Sequence, residues 1–360
     1  MKILILKPSS LGDVVQSLPV LRLLKRHLPT SAIHWWLDAD LVPLLAADPD
    51  LAGVIPFRRR RWASPWRWHE LTASLRQIRA MRFDWVIDLQ ALLRSGLVAW
   101  LAGARSSVGL ADGREGAPAF YDVAIPRPSP LAHPVAWYLE TLRVLGVPPG
   151  GAFEWLPPKP DVAASVRARW NVGRERWILI HPGARWMNKR WPVEAYAVVV
   201  RQLAAKWPEA RFGVLGGESE RRLGAALAAA LPGRCLDLTA ATSLTEMVEW
   251  IRLASLLITN DSGPMHVAAA LRRPVVAIFG PTDPRRTGPY GQAGQVLHAN
   301  LPCAPCMKSW CVNPRSLQCL HEVTPAAVVA AAEARWGAGP LDAGRIWDLP
   351  VRSPALDSSR

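Results

Sequence analysis

The sequence predicts an α/β protein made of two Rossmann-like domains that face each other across a cleft. Three observations predict this class: strand and helix patterns alternate along the chain, a Pro- and Gly-rich break separates two such series, and polar clusters follow the strands. Nearly continuous apolar strands that alternate with amphipathic helices are typical of a parallel sheet covered on both faces. Ligands of such folds bind at the carboxyl ends of the strands.

The first series of elements ends near residue 146. Its predicted strands are the apolar runs at 2–7, 32–37, 53–57, 83–89 and 105–110. Its predicted helices, at 14–28, 41–49, 69–81, 92–103 and 133–146, have apolar residues at helical spacing. Val147–Asp161, "VPPGGAFEWLPPKPD", has no periodic pattern, so we place the boundary there and assign residues 1–150 to the first domain.

The second series repeats the alternation, and we assign residues 161–324 to the second domain. Its predicted strands lie at 177–183, 210–217, 255–260 and 274–282. Its predicted helices lie at 192–207, 220–231 and 243–254, and another opens within 259–271. Ser243 and Glu246 form a capping box at the start of the third of these helices. A last helix is predicted at about 325–336, followed by a tail at 337–360 that is predicted to be partly disordered.

Composition restricts the class of partner. Lys and Arg number 43 against 29 Asp and Glu, which gives a net charge of +14 in 360 residues. Such a surplus favours an anionic partner: nucleic acid, an acidic membrane surface or a phosphorylated substrate. The opening "MKILILKPSS" reads as a buried strand rather than a signal peptide, and no apolar run reaches the roughly eighteen residues of a membrane span. We therefore expect a cytoplasmic protein.

Each polar cluster after a strand has a structural and a functional interpretation. Asp13, at the start of the first helix, either favours the helix dipole or acts as a general base in the cleft. In "HPGARWMNKRWP", Arg185, Lys189 and Arg190 are either solvated or hold a diphosphate. In "GGESE", Glu218 or Glu220 either caps a helix or binds a ribose.

"TNDSGPMHVAAAL" at 259–271 places a carboxylate, hydroxyl groups and a histidine where a helix begins. Asp261 or Ser262 could serve only as a helix cap, but capping explains one residue and not the whole cluster. First-turn N–H groups and the helix dipole together form an anion site. A dinucleotide fingerprint of the G-x-G-x-x-G type is absent from the loop before Asp13.

Two further clusters remain open at the sequence level. Residues 58–70, "RRRRWASPWRWHE", contain five Arg and three Trp, which suit a solvated loop, a membrane surface or nucleic acid. The four cysteines are spaced Cys303-x2-Cys306-x4-Cys311-x7-Cys319. In a reducing compartment they are either free thiols or the ligands of a structural Zn²⁺, although only the first pair has zinc-like spacing.

Taken together, six segments resemble glycosyltransferase family nine, the ADP-heptose:lipopolysaccharide heptosyltransferases, over about residues 1–335. These are "KPSSLGDVVQSLPVL", "FDWVIDLQALLRSGL", "GREGAPAFY", "HPGARWMNKRWP", "TNDSGPMHVAAAL" and "FGPTDPRRTGPYG". "CAPCMKSWCVNPRSLQC" is also similar to the Cys-rich stretch of some members. The resemblance implies a GT-B fold with the acceptor on the first domain, the nucleotide sugar on the second, and the helix at 325–336 crossing back to the first.

The resemblance also implies roles for single residues. Asp13 resembles the catalytic base and Lys189 the cation on the diphosphate. The other implied donor-binding residues are Arg185, Glu218 or Glu220, Asp261, Ser262, Gly263 and His266. The implied acceptor-binding residues are Ser10, Gly12, Arg58, Arg59, Arg60, Arg61 and Arg114. The chain departs from the family in "GARWMN", where some members have hydroxyl residues, and the Glu after "GG" does not align to one position.

The expected reaction is inverting transfer of a heptose from ADP-heptose to the lipopolysaccharide inner core, with no cofactor or metal required. The expected partners are an ADP-sugar donor and a lipid A-type acceptor at the inner membrane, where the protein would be peripheral. The Arg-rich loop favours a Kdo acceptor and the Cys stretch a first heptose; we favour Kdo, because its carboxylate suits arginine. The alternatives are a relative that uses another nucleotide sugar and a basic nucleic-acid-binding protein. Nucleic acid is not expected, because no module that binds it is recognisable.

Overall fold

The fold consists of two parallel β-sheets, each with six strands and helices on its faces. The computed structural model describes residues 1–62, 64–292, 294 and 296–337. The first sheet contains β1 (Lys2–Leu6), β2 (Ala32–Asp38), β3 (Gly53–Phe57), β4 (Trp85–Asp88), β5 (Ser106–Leu110) and β6 (Val123–Ile125). The second sheet contains β7 (Trp177–His181), β8 (Arg211–Val214), β9 (Cys235–Asp237), β10 (Leu256–Asn260), β11 (Val275–Phe279) and β12 (Val296–His298).

The helices connect the strands and cover the sheets. Those of the first half are α1 (Leu11–His27), α2 (Val42–Leu45), α3 (Arg59–Trp62), α4 (Trp68–Ala80), α5 (Leu93–Leu101) and α6 (Pro134–Val144). Those of the second half are α7 (Pro160–Arg169), α8 (Val193–Lys206), α9 (Arg221–Ala230), α10 (Leu244–Leu253), α11 (Gly263–Ala270), α12 (Pro284–Thr287), α13 (Gln318–His321) and α14 (Pro325–Trp336).

Both sheets have the same strand order. The first is β3-β2-β1-β4-β5-β6 and the second is β12-β11-β10-β7-β8-β9, with all pairs parallel. Counted from its own first strand, each sheet is therefore a 3-2-1-4-5-6 Rossmann sheet. Its order reverses between β1 and β4 in the first sheet and between β7 and β10 in the second. The crevice outside the carboxyl ends at such a reversal is where these folds bind ligands.

The central strands are apolar because they are buried on both faces. In β1 the four residues after Lys2 are fully buried, as are all five residues of β11. Complete burial of one such aliphatic side chain stabilises the fold by about 1.5–3 kcal/mol. Rigid central strands of this kind fix the positions of the loops that follow them.

A buried ion pair attaches the segment between the sheets to the first domain. The Arg22 guanidinium in α1 contacts the Asp48 carboxylate at 2.5 Å and the Asp50 carboxylate at 2.6 Å. It also donates to the backbone carbonyl of Trp155, which lies within the stretch without helix or strand at 145–159. The position of that stretch is therefore set by directional bonds and not by packing alone.

The sequence predicted the nine longer strands and the longer helices between them except α7, and it missed seven elements: β6, β9, β12, α3, α7, α12 and α13. Strands β6, β9 and β12 have only three residues each, which is too short for a periodic pattern. Helix α7 begins at Pro160, inside the stretch expected to be a linker, because Pro is favourable at the first position of a helix. The Ser243–Glu246 capping box is confirmed by reciprocal hydrogen bonds of 3.2 and 2.7 Å.

The last helix lies where it was predicted along the chain, but it does not cross to the first domain as expected. Helix α14 packs on α8, β10 and β11, and Val328, Val329 and Ala332 belong to the core of the second domain. Its end is held there by stacking of Trp336 on Trp207. The predicted disordered tail, apart from Gly337, lies outside the described residues. None of the helices in the described ranges combines the length and hydropathy that a membrane span requires.

Candidate active site

A cleft of about 630 Å³ lies where the carboxyl ends of the two sheets meet. It is lined by the first turns of α1 and α11 and by loops after β7 and β8. Ten of the predicted site residues line it: Ser10, Gly12, Asp13, Arg185, Lys189, Glu220, Asp261, Ser262, Gly263 and His266. Residues separated by about 250 positions in the chain therefore line one cavity. The sequence predicted this proximity because the polar clusters all follow strands.

Asp13 lies in the first turn of α1 and faces the cleft. Its Oδ2 accepts hydrogen bonds from the Ser10 backbone N–H at 3.0 Å and the Ser10 hydroxyl at 2.7 Å. Burial alone would raise the pKa of Asp13, but the Lys7 ammonium and the bonds from Ser10 outweigh it and hold the pKa below its usual value. The carboxyl group is therefore ionised at neutral pH.

Lys7, at the end of β1, was missed by the sequence analysis. Its side chain is buried, donates to the Leu89 carbonyl at 2.8 Å, and lies 5.0 Å from the centre of the Tyr138 ring. Burial would lower the pKa of Lys7, but Tyr138 and Asp13 outweigh burial and raise it. A fixed positive charge thus lies behind the Asp13 carboxylate.

The N-termini of α1 and α11 approach each other closely across the cleft. A Cβ at Gly12 would lie 2.4 Å from Cδ2 of His266, and a Cβ at Gly263 would lie 3.0 Å from Leu11. Glycine at both positions lets an element of one domain contact an element of the other. The His266 imidazole is fixed by the Gln16 amide, whose nitrogen lies 2.9 Å from Nδ1. Burial lowers the pKa of His266, so the ring is neutral at pH 7.

Gly12→Ala should disturb this contact between domains. The new methyl group must displace the buried His266 ring, and overpacking of that kind costs about 1–3 kcal/mol. The measurement is the free energy of unfolding in denaturant. Gly150→Ala is the matched control, since a Cβ at Gly150 meets no atom within 4 Å. Equal stability of the two variants would contradict the close approach.

Lys189 and Asp261 form an ion pair on the second-domain side of the cleft. Lys189 Nζ lies 2.6 Å from Asp261 Oδ2 and 4.7 Å from the centre of the Trp186 ring. Asp261 is buried and also accepts a bond of 2.6 Å from the Thr282 hydroxyl. The ammonium group is therefore held at the start of α11, where the N–H groups of the first turn favour an anion.

Ser262 is the N-cap residue of α11 by position, but its side chain makes no capping bond. Its hydroxyl instead lies 3.1 Å from Nδ1 of His181 and 3.0 Å from the Thr259 hydroxyl. Burial lowers the pKa of His181 to about 4, so this ring is neutral at pH 7. Ser262 therefore does not satisfy the first-turn N–H groups of α11.

The structure separates the two glutamates that the sequence left as alternatives. Glu220 lines the cleft, accepts from the Arg190 guanidinium at 3.1 Å, and bonds the Gly217 backbone N–H at 3.0 Å. Glu218 is exposed and pairs with Arg221 at 2.6 Å on the surface. Of these two residues, only Glu220 lines the cleft.

The predicted acceptor arginines do not line the cleft. Arg58–Arg61 follow β3 at the edge of the first sheet and are exposed, and Arg114 follows β5 and is also exposed. Arg61 makes a bidentate bond to Glu70. These residues share the carboxyl edge of the sheet with Asp13, but contact with an acceptor would need a ligand that extends beyond the cavity.

The four clustered cysteines line one small pocket, but they are not arranged as a metal site. Cys303, Cys306, Cys311 and Cys319 all line a cavity of about 20 Å³. Within the described residues, however, no group of three or more His, Cys, Asp or Glu side chains is arranged to hold a metal ion. Burial and the neighbouring thiols raise the pKa of Cys319, which favours its neutral form. The arrangement of these four cysteines therefore does not support the zinc alternative.

Two Rossmann sheets that meet across a cleft with an ionised acid on one side and an anion site on the other define a class of protein, the GT-B glycosyltransferases. The chain matches the family described as Glycosyltransferase family 9 (heptosyltransferase) over residues 71–316. The chain belongs to this family, as the sequence motifs predicted.

Similar proteins agree with this assignment. The chain is 31% identical to lipopolysaccharide heptosyltransferase 1 of Pseudomonas aeruginosa over 333 residues, which cover 86% of this chain and 87% of the relative. It is 29% identical to lipopolysaccharide heptosyltransferase 2 of Escherichia coli over 317 residues, 82% and 88% of the two chains. Among solved structures, ADP-heptose lipopolysaccharide heptosyltransferase II of Escherichia coli has a TM-score of 0.76 and 26% identity, covering 93% of this chain and 98% of that one.

Proposed function

We propose that this protein transfers a heptose from ADP-heptose to the inner core of lipopolysaccharide with inversion at the anomeric carbon. The relatives named above are lipopolysaccharide heptosyltransferases, and the related structure is named for ADP-heptose. The observation that carries the proposal is a single cavity lined by Asp13 on one domain and by Lys189, Asp261 and His266 on the other. A donor bound to the second domain would place its sugar between these groups.

Asp13 is the proposed general base. Both bonds from Ser10 fall on Oδ2, and no donor in the described residues bonds Oδ1. Oδ1 is therefore the oxygen that accepts the proton of the acceptor hydroxyl as that hydroxyl attacks the anomeric carbon. The bond from the anomeric carbon to the diphosphate breaks on the opposite face, so one displacement inverts the configuration. The bonds from Ser10 fix the carboxylate in place before the acceptor arrives.

Lys189 and the N-terminus of α11 are the proposed stabilisers of the leaving group. Negative charge grows on the diphosphate as the glycosidic bond breaks, and preorganised donors oppose that charge most effectively in a site with little water. Lys189 is already held at this position by Asp261 and Trp186. Arg185 and Glu220 line the same cleft and are the proposed contacts to the rest of the nucleotide. Lys189, Arg185 and the N-terminus of α11 supply the positive charge, so the proposed mechanism needs no cofactor or metal.

The proposed acceptor is a Kdo residue of a lipid A-type molecule at the inner membrane, where the protein would act as a peripheral enzyme. Arg58–Arg61 and Arg114 are exposed at the same edge of the sheet as Asp13 and would bind the acidic sugars. A guanidinium binds a carboxylate through two parallel hydrogen bonds, which suits Kdo. A first heptose is the second candidate acceptor, because the Cys-rich stretch is similar to that of some members of the family.

The test is incubation with a panel of nucleotide sugars and two defined acceptors, Kdo-lipid A and the same molecule carrying one heptose. We expect a mass increase of one heptose from ADP-heptose, and on the Kdo acceptor rather than on the heptosylated one. Transfer from another nucleotide sugar alone would overturn the donor assignment, and transfer only to the heptosylated molecule would overturn the acceptor. ADP should also raise the melting temperature, by mass action on the folded state.

A further inference from the structure

A basic and aromatic surface covers one outer side of the first domain. We call it the Arg–Trp face and define it as the outward side chains of residues 58–62, 64 and 66–82 together with those of α5. Helices α4 and α5 lie on the same side of the first sheet, because Ile78 of α4 and Val98 of α5 pack into one core with Val86 of β4. Their opposite sides, which point outward, therefore form one continuous surface.

The charge of this face is strongly one-sided. Residues 58–82 contain eight Arg and one Glu, so half of the net charge of +14 lies within 25 residues. The single acid, Glu70, pairs with Arg61 and Arg67. In the described part of the chain, Arg58, Arg59, Arg76, Arg79 and Arg82 make no ion pair. This charge is thus not neutralised within the protein.

Exposed apolar side chains lie among these arginines. Trp62 is buried and packs on Phe57, so it serves the core, whereas Trp66 and Trp68 are 89% and 57% exposed. On α5, Leu93, Leu97 and Trp100 form an outward stripe and are 45%, 40% and 62% exposed. The tryptophan side chain combines a large apolar ring with a polar N–H group. It is therefore enriched at the headgroup level of a bilayer.

We propose that the Arg–Trp face docks on an anionic lipid bilayer. Arginines would contact lipid phosphates while Trp66, Trp68 and Trp100 enter the headgroup level, which is the combination that membrane-surface segments use. The leucine stripe on α5 favours a bilayer over nucleic acid, since aliphatic side chains gain nothing from stacked bases. The face also begins at Arg58, directly after the carboxyl end of β3. The cleft lies at this same end of the first sheet. Docking there would bring a membrane-anchored acceptor towards Asp13, a consequence that rests on the proposed function.

The test is co-sedimentation of the full-length protein with vesicles, without donor or acceptor. Vesicles of phosphatidylglycerol and phosphatidylcholine in equal parts should bind the protein, whereas pure phosphatidylcholine should bind it weakly, and salt should weaken binding. Arg76→Gln with Arg79→Gln should reduce binding about fivefold for each arginine. Trp66→Ser with Trp68→Ser should also reduce it, at low and at high salt.

Matched controls lie on the second domain. Arg201→Gln with Arg222→Gln makes the same charge change at exposed positions, and Trp310→Ser removes a tryptophan that is 62% exposed. Equal binding of the face variants and these controls would overturn the proposal. A single-stranded oligonucleotide that binds more tightly than the vesicles and needs the same tryptophans would also overturn it. Transfer to an acceptor without acyl chains should be unchanged in the Trp66/Trp68 variant, so loss of docking is distinguishable from failure of the proposed transfer.

Discussion

Asp13→Asn should reduce kcat for heptose transfer by about 10²–10⁴-fold, the usual contribution of a positioned general base. The amide has nearly the same shape as the carboxylate and can still accept both bonds from Ser10, which are 3.0 and 2.7 Å long in the wild-type protein. It cannot accept a proton from the acceptor hydroxyl. The affinity for ADP should stay within about twofold, because the proposed donor contacts lie on the other domain. Turnover is measured by mass spectrometry of the product and ADP affinity by calorimetry.

The control for this variant is Asp161→Asn, which removes an exposed acid from the first turn of another helix, α7. It should leave turnover unchanged, because an acid there affects only the helix dipole. Near-normal turnover in Asp13→Asn would show that another group takes the proton. A parallel loss of ADP affinity would instead indicate that Asp13 supports the shape of the site.

The pH dependence of the wild-type enzyme should agree with this assignment. The pKa of Asp13 lies below its ordinary value of 3.8, because Lys7 and Ser10 stabilise the carboxylate more than burial destabilises it. A base with a lowered pKa is active above that pKa and loses activity as the pH falls through it. The acid limb of kcat/KM should therefore not be set by Asp13 at any pH above about 4. The measurement is kcat/KM between neutral pH and pH 5. A single ionisation in this range that is present in the wild-type enzyme and absent from Asp13→Asn would contradict the prediction.

The sequence was sufficient for the fold because its strongest signal is buried strands that recur between helices. β1 and β11 are entirely apolar after their first residues. A strand with one face in solvent would alternate apolar and polar residues, so this pattern indicates a sheet that is covered on both faces. The elements that it missed are those with little signal of their own. Strand β9, "CLD", and strand β12, "VLH", extend existing sheets and are held by pairing with β8 and β11. Such edge strands are determined by their neighbours in space and not by their own sequence.

The candidate site was predictable to the extent that it consists of residues in the loops and helix starts that follow strands. Asp13, Lys189 and Asp261 were selected by that rule, and all three line one cleft. His181, at the end of β7 in "HPG", and Lys7, at the end of β1, satisfy the same rule and could have been selected with it. Gln16 could not, because it lies within a helix and its role depends on His266, which is 250 residues away.

The choice between Glu218 and Glu220 also required three-dimensional information. Both follow a Gly-Gly turn, and their spacing of two residues places them on different sides of the short helix at 218–220. Glu220 bonds back to the Gly217 N–H and meets Arg190, which turns its side chain towards the cleft. For Arg58–Arg61 the sequence showed the charge but not the position. They lie outside the cavity because they follow β3, which is the edge strand of the first sheet.

Lys189→Met should reduce kcat/KM by about 10²–10³-fold, the cost of removing one preorganised donor to a developing anion. Methionine keeps most of the length and the apolar stem, so contact with Trp186 is retained while the charge is lost. Asp261 keeps its bond from Thr282, so the fold should survive, and a melting curve checks this. The specific readout is the ratio of the affinities for ADP and AMP. This ratio should fall in the variant, because Lys189 is proposed to act on the diphosphate and AMP lacks the second phosphate.

The control is Lys308→Met, which makes the same change in net charge at an exposed position outside the cleft lining. It should leave both kcat/KM and the affinity ratio unchanged. If the ratio is unaffected in Lys189→Met while turnover falls, the lysine orients Asp261 and does not oppose the leaving-group charge. If neither quantity changes, the positive charge on the diphosphate must come from elsewhere in the cleft, and Arg185 and Arg190 are then the remaining cations that line it. The two affinities therefore separate a direct electrostatic role of Lys189 from a positioning one, because only a direct role depends on the second phosphate.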